Sequence, residues 1–209
     1  MIFTASVGLA FSLFALLTLI VRRSPRLSAD VTATIRLQRN QHPWLSRVMR
    51  AISWLGFRPQ SLLLPASVVS ITWLSGHRRD ARYLIAAWAA SFVSYTTKRL
   101  VMRPRPGGVD IQVVEAKLRD SSFPSGHVLH YVVFWGFVTY LWDWYVKHPL
   151  LRRVPVTIMA LKISLVGISR VYLGHHWLTD VLGSYSLGTG ILLTLIGLRS
   201  RGTEDRAAE

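Results

Sequence analysis

The sequence predicts an all-α fold: a polytopic membrane bundle of six transmembrane helices that occupies residues 1–209 as a single domain, with an amphipathic helix at the interface between the first and second spans. Three observations predict it. Apolar residues make up 51% of the chain, more than a soluble domain of this size normally carries. They come in blocks that approach the roughly 20 residues needed to cross about 30 Å of hydrocarbon. The 25 Lys and Arg side chains, which outnumber 10 Asp and Glu, fall mainly between those blocks.

The formal charge of +15 would suggest nucleic acid in a soluble protein. Placed between spans, it points instead to anionic lipid headgroups or a phosphorylated membrane lipid, and nucleic acid is not expected as a partner. The chain contains no cysteine, so it has neither disulfides nor thiolate metal sites. Asp180 is the one acidic residue paired in sequence with a histidine, so no metal-ligand set and no cofactor are expected.

Ile2 to Val21 lacks the basic leader of a signal peptide, exceeds its apolar run of about 7 to 15 residues, and ends in Val21-Arg22-Arg23. It is expected to be a retained first span. From Ser24 to Phe57 the chain is polar and Arg-rich, but Leu45, Val48, Met49 and Ile52 recur at i, i+3, i+4 and i+7, with Arg47 and Arg50 off that stripe. Such a helix either lies apolar face down in the interface or packs on the bundle as a connector.

Gln60 to Gly76 is the second span, and His77-Arg78-Arg79-Asp80 is a charged turn into the third, Tyr83 to Thr97, whose small residues suit close packing in lipid. After Arg105-Pro106-Gly107-Gly108, residues Val109 to Asp120 mix apolar and charged positions too evenly to span. A surface loop with one or two helical turns is expected there. Val128 to Val146, Val154 to Ile168 and Leu178 to Leu198 complete the spans, and the charged tail RSRGTEDRAAE has a disordered composition. Trp44, Trp54, Trp73 and Trp177 fall near span ends as interfacial anchors. Lys162, inside the fifth span, either pairs with a carboxylate such as Asp143 or stays neutral.

An alternating bundle brings four helix ends to one membrane face. Lys98 closes span three, Ser125 to His127 open span four, Arg170 closes span five and His176 opens span six. At Ser125 and Gly126, unpaired N–H groups and the positive end of a helix dipole attract anions. Lys98, Arg105 and Arg170 add positive charge, and the arginines can grip phosphate oxygens through paired donors. Basic residues at helix ends also snorkel to the interface without any ligand. His176 and Asp180 are four residues apart, so the carboxylate can accept a hydrogen bond from one ring nitrogen and leave the other as a nucleophile. His130, one turn from His127, is either its supporting partner or a packed core histidine, and His175 is expected at the rim.

Lys98-x6-Arg105-Pro106, Pro124-Ser125-Gly126-His127 and Ser169-Arg170-x5-His176-x3-Asp180 resemble the three-part signature of the type-2 phosphatidic acid phosphatases, or lipid phosphate phosphatases, at every specified position. The resemblance implies a metal-independent phosphomonoesterase or pyrophosphatase that acts on a membrane lipid through a phosphohistidine. It implies His176 as nucleophile, Asp180 as its orienting partner and His127 as the acid that protonates the leaving oxygen. Lys98, Arg105, Ser125, Gly126 and Arg170 would hold the phosphoryl oxygens.

The resemblance also implies an extracytoplasmic site on the inner (plasma) membrane. Charge counting conflicts with that orientation, because Arg22, Arg23, Arg26, Arg36, Arg39, Arg47, Arg50 and Arg58 all precede span two. Polyprenyl pyrophosphate, phosphatidate and phosphatidylglycerol phosphate are the candidate substrates. A phosphotransferase using the same intermediate and a non-catalytic anionic-lipid binder or transporter are the alternatives.

Overall fold

A helix that is apolar on every side must sit inside other helices, and the stretch beginning at Val128 is of that kind. The computed structural model describes residues 2–40, 42–109, 111–114 and 120–207, and at 2 and 202–207 the backbone alone. In it, Val128, Leu129, Tyr131, Val133, Phe134 and Phe137 are sealed in the core. They belong to one rod composed of α6 (Gly126–His130), a π turn (Tyr131–Trp135) and α7 (Gly136–Tyr145).

Around this rod stand α5 (Arg78–Val101), α8 (Pro149–Tyr172) and α9 (Leu178–Ala207). Outside them, α1 (Ile2–Arg23) packs on α9 and α4 (Gln60–Leu74) on α5. Between α1 and α4 run α2 (Ser28–Gln38), α3 (Pro43–Ile52) and a 3-10 turn (Trp54–Gly56). All regular structure among the described residues is helical.

Three helices, Phe3–Arg23, Pro149–Tyr172 and Leu178–Arg201, are long and apolar enough to cross a membrane. Their outer faces match a lipid solvent. On α8, Val154, Ile158, Leu161, Leu165 and Ile168 form one exposed apolar stripe at helical spacing. Where α1 meets α9, phenylalanines fill glycine notches: a Cβ on Gly197 would stand 2.7 Å from the ring of Phe3, and one on Gly190 3.0 Å from the ring of Phe11. Small residues that let helices approach closely are the usual means of holding helices together in lipid.

Several expectations need correction. The polar segment after the first span forms two helices rather than one, and their faces are used differently. In α2 the buried residues are Asp30, Thr34 and Gln38, so polar contacts anchor it, whereas α3, which carries the Leu45 to Ile52 stripe, has no buried residue. The charged tail is not free chain: α9 continues to Ala207, and Arg199 is buried because it finds a carboxylate inside the bundle. Its Nε donates to Asp80 Oδ1 at 2.7 Å, and the Tyr145 hydroxyl donates to Asp80 Oδ2 at 2.6 Å. Asp143 is engaged at the surface by Arg152, at 2.5 and 2.8 Å, and not by Lys162, which is half-buried in α8. The helical turn or two expected between Val109 and Asp120 falls partly on residues 110 and 115–119, outside the described residues.

Replacing Arg199 by Met leaves Asp80 buried without its cation, and removing one partner of a buried pair typically costs about 3–5 kcal/mol. The Arg199→Met protein is therefore expected to unfold at a clearly lower temperature in detergent. An unchanged melting temperature would show that this pair contributes nothing.

Candidate active site

Local chemistry sets the helix ends that build the site. Met102 closes α5 in the left-handed conformation, at φ 50°, and its N–H caps the Lys98 carbonyl, which turns the chain directly into Arg103. Ser125 begins α6 in extended conformation, and its N–H is held by the Ser184 hydroxyl at 2.6 Å. At the start of α9, Asp180 reaches back so that its Oδ2 accepts the Trp177 N–H at 2.8 Å, half of a capping box. Lys98, Arg105, Ser125, Gly126, His127, Arg170, His176 and Asp180 all lie at this one end of the bundle.

The ring of His176 is buried, and its Nδ1 stands 2.8 Å from the Ser122 carbonyl. A carbonyl only accepts, so Nδ1 carries the proton and Nε2 presents its lone pair. Asp180 was expected to take that hydrogen bond; its Oδ2 is 3.6 Å away, and the backbone oxygen is the nearer acceptor. Asp180 instead fixes the Trp177 backbone beside the ring. Burial first, and then the charges of Arg105, Lys98 and Arg170, hold the His176 imidazole well below its ordinary pKa. It is neutral, with Nε2 3.5 Å from Arg105 Nη1.

Arg103, which the sequence reading left out, lies behind this pair. Its guanidinium donates from Nη1 to Asp180 Oδ1 at 2.5 Å, from Nη2 to Asp30 Oδ2 at 2.6 Å and from Nε to the Pro25 carbonyl at 2.8 Å. All three charged side chains are inaccessible to solvent. Asp30 also accepts from the Thr179 N–H at 2.9 Å and its hydroxyl at 2.7 Å, so α2 is tied to the first turn of α9.

Arg170 is held from two sides. Nη1 donates to Ser53 Oγ at 3.1 Å, and Nη2 donates to His175 Nδ1. His175 is not a rim residue: it is buried, and its Nε2–H donates to the Val114 carbonyl at 2.7 Å. Burial, followed by the charge of Arg170, holds His175 down at about 4, so its ring stays neutral and free to accept. The turn between them needs Gly174, at φ 69°, where a Cβ would stand 2.3 Å from the Gln112 carbonyl oxygen. Gln38 of α2 clamps the same strip of chain, donating to the carbonyls of Gln112 and Tyr172 at 2.8 Å each.

His127 packs edge-on against Phe57, with ring centroids 4.8 Å apart, and the Arg170 guanidinium lies 5.1 Å from the centre of the Phe57 ring. Gly56 makes room for it, since a Cβ there would come within 2.3 Å of the ring. Among the described residues, the motif atoms Ser125 Oγ, His127 Nε2 and Arg170 Nε are buried without a protein hydrogen-bond partner, as are Ser94 Oγ, His130 Nε2, Trp135 Nε1 and the Tyr172 hydroxyl outside the motifs. An unsatisfied buried polar atom costs about 1–3 kcal/mol, and the three in the motifs are open to a phosphoryl group or its leaving oxygen. His130 instead stacks on Phe134, with centroids 5.5 Å apart, as a packed core histidine.

Lys98 and Arg105 line a cavity of about 650 Å³ that extends along the outer side of α5 past Tyr95 and Met102. Arg105 separates this cavity from His176. Asp120 bridges both cations, 2.9 Å from Lys98 Nζ and 2.6 Å from Arg105 Nη2. Burial opposes its ionisation, but the hydrogen bonds and charges of Lys98 and Arg105 outweigh that and hold the carboxyl at about 2. Asp120 is ionised at any physiological pH and offers these cations the same kind of oxygens that a phosphoryl group would.

A helical bundle with a buried histidine, a ring of cations and unsatisfied donors at one end defines a membrane-embedded phosphatase. The particular family is the PAP2 superfamily: its sequence profile matches residues 80–203, and the chain belongs to it. The chain is 32% identical to phosphatidylglycerophosphatase B of Bacillus subtilis over 185 residues, 85% of this chain and 87% of that protein. It is 34% identical over 95 residues to an undecaprenyl-diphosphatase of Sulfolobus acidocaldarius, covering 43% of this chain and 39% of the relative. Among solved structures, the transmembrane PAP2-type phosphatidylglycerolphosphate phosphatase of B. subtilis superposes with a TM-score of 0.81 at 26% identity, covering 94% of this chain and 96% of that one. LpxE of Aquifex aeolicus shares the fold, with a TM-score of 0.61 at 20% identity over 84% of this chain and 98% of that one.

Two outcomes test the geometry. Asp120→Ala frees Lys98 and Arg105 for a ligand, and because exposed ion pairs contribute up to about 1 kcal/mol, orthovanadate is expected to bind up to about fivefold tighter. Weaker inhibition would mean that Asp120 helps to build the anion site. Arg103→Lys replaces a fork that joins two carboxylates by a point charge, so kcat is expected to drop by about tenfold or more, because Asp180 loses the contact that aims it. Wild-type turnover in that variant would remove Arg103 from the positioning of His176.

Proposed function

We propose that this chain is a six-span, metal-independent lipid phosphate phosphatase of the inner (plasma) membrane, folded as one domain, with its active site on the extracytoplasmic face. The observation that carries this reading is the His176 ring, whose Nδ1 proton is committed to Ser122 while Nε2 points to the cations at the cavity. Six spans are supported by the shorter apolar helix α4 and by α5 and the α6–α7 rod, which pack in the same bundle as the three apolar helices. For the orientation, Arg78, Arg79 and Arg82 at the end opposite His176 fit a cytoplasmic face, whereas the eight arginines before the second span weigh the other way, so the family resemblance carries this part of the reading.

In this reading His176 Nε2 attacks phosphorus, the bond from phosphorus to the lipid oxygen breaks, and the departing oxygen takes a proton from His127. Lys98, Arg105, Arg170, Ser125 and the Gly126 N–H hold the other phosphoryl oxygens and stabilise the charge that builds on them, the work a metal ion does elsewhere. Asp180 offsets the positive charge that the His176 ring acquires. Water, giving a proton to His127, then attacks the phosphohistidine and releases inorganic phosphate. The names of the relatives favour phosphatidylglycerol phosphate or a polyprenyl diphosphate as substrate, with phosphatidate as a further candidate. The outward cavity beside Lys98 suits a lipid whose chains stay in the membrane.

The test is phosphate release from a panel of purified lipid phosphates in the presence of a chelator. Turnover is expected to persist, and His176→Ala is expected to abolish both release and the alkali-stable labelled enzyme formed on rapid quenching. A labelled acceptor lipid instead of free phosphate would make the chain a phosphotransferase. Binding without turnover on every substrate would make it a lipid binder.

A further inference from the structure

A serine or threonine inside an α-helix ordinarily turns its hydroxyl back on the carbonyl one turn earlier, because that oxygen is within reach of it. On α5, Thr96 Oγ1 donates to the Phe92 carbonyl at 3.1 Å and Thr97 Oγ1 to the Val93 carbonyl at 2.8 Å. Thr139 on α7, Ser164 on α8 and Ser184 on α9 do the same. Ser94, also on α5, departs from this habit. It is 3% exposed, and its Oγ makes no hydrogen bond within the protein.

A buried hydroxyl without a partner is less stable than the alanine that could replace it, so its presence calls for a use. Two placements show what that use is. Ser94 precedes Lys98 by four residues, which puts both on one face of α5, about 6 Å apart along the helix axis. Its Oγ also lies 3.6 Å from the point where a Cβ on Gly126 would stand. The side that Gly126 leaves empty therefore opens onto the Ser94 hydroxyl, and the neighbouring Ser125 Oγ is likewise buried and unpartnered. His130 Nε2 and Trp135 Nε1 are unpartnered in a different setting, on rings packed edge to face in the core with centroids 6.3 Å apart.

We infer that Ser94 is a further phosphate-contacting residue of this site, its hydroxyl donating to the phosphoryl oxygen that lies beside Gly126. The inference rests on the phosphatase reading above. An oxygen seated in the space left by Gly126 meets Ser94 from α5 and Ser125 from the start of α6. A hydroxyl whose proton was committed to the Ala90 carbonyl would present lone pairs to that oxyanion and repel it; the uncommitted one keeps its proton for the ligand. The bond strengthens as negative charge builds on the phosphoryl oxygens, so Ser94 serves the transition state more than the bound substrate.

The experiment compares Ser94→Ala with the wild type, as full chains in detergent. The replacement removes one oxygen and keeps the contour of α5, so the melting temperature is expected to be unchanged or higher. A hydrogen bond to a charged group is worth about tenfold to a hundredfold in affinity. Inhibition by orthovanadate is accordingly expected to weaken by about tenfold or more, kcat/KM on a lipid phosphate to fall by a similar factor, and the rise in melting temperature that orthovanadate gives the wild type to shrink. Thr97→Ala, whose hydroxyl is spent on its own helix, is expected to keep the wild-type values. Undiminished orthovanadate affinity in Ser94→Ala, an equal loss in Thr97→Ala, or a clearly lower melting temperature of Ser94→Ala would overturn the inference and leave the phosphatase reading standing. A wild type that neither hydrolyses lipid phosphates nor binds orthovanadate would remove that reading and this inference together.

Discussion

Arg103 lies between the carboxylates of Asp30 and Asp180, and all three side chains are withdrawn from solvent. Dehydrating such groups is expensive, and the arrangement holds only because every strong donor and acceptor in it is used. The guanidinium satisfies two carboxylates, a hydroxyl and a backbone carbonyl at once, which Lys could not do. This contact makes α2 part of the end that holds His176 rather than a decoration on it. It fixes the start of α9, and through Asp180 it fixes the backbone on which His176 is mounted. The loop from Met102 to Arg105 is pinned by the same group, so the two cations beside the cavity inherit their positions from it.

Much of the site was legible because its residues sit at helix ends. A cation that closes one helix and a histidine that opens another are placed by helix length alone, and Lys98, Ser125, Arg170 and His176 lie together at one end of the bundle. Asp30, Ser53, Gly56 and Phe57 were not legible, because they act over separations such as the 73 residues between Asp30 and Arg103. Within an Arg-rich polar segment, one Asp reads as a solvated charge. Arg103 was hidden for the opposite reason: it stands in a run of basic residues where spacing singles out Arg105. His175 was misplaced because heptad-like spacing decides which histidine faces Asp180 and says nothing of where its neighbour turns. Gly174, at positive φ, turns it inward to Arg170.

A limit of side-chain reasoning appears at His176. The spacing of His176 and Asp180 suggests a direct hydrogen bond, yet the Nδ1 proton goes to a backbone carbonyl. Any residue at 122 supplies that oxygen, so its identity carries no signal, and only the path of the chain between Lys98 and α6 puts it there. Ser122 is itself held by backbone bonding to Arg103, with its N–H donating to the Arg103 carbonyl at 2.9 Å. The orientation of the ring is therefore a property of the loop.

The pairing of α1 with α9 has a consequence for biogenesis. These are the outermost helices in chain order, and the glycine notches that receive Phe3 and Phe11 are made late in synthesis. Until then α1 meets lipid on a face later covered by protein, and α2, tethered to α9 through Asp30 and Thr179, has no completed partner either. The bundle closes like a clasp whose two halves lie far apart in the chain. Placement of α1 and assembly of the end that holds His176 are thereby separated in time, because that end draws on α9 as well as on α2 and α5.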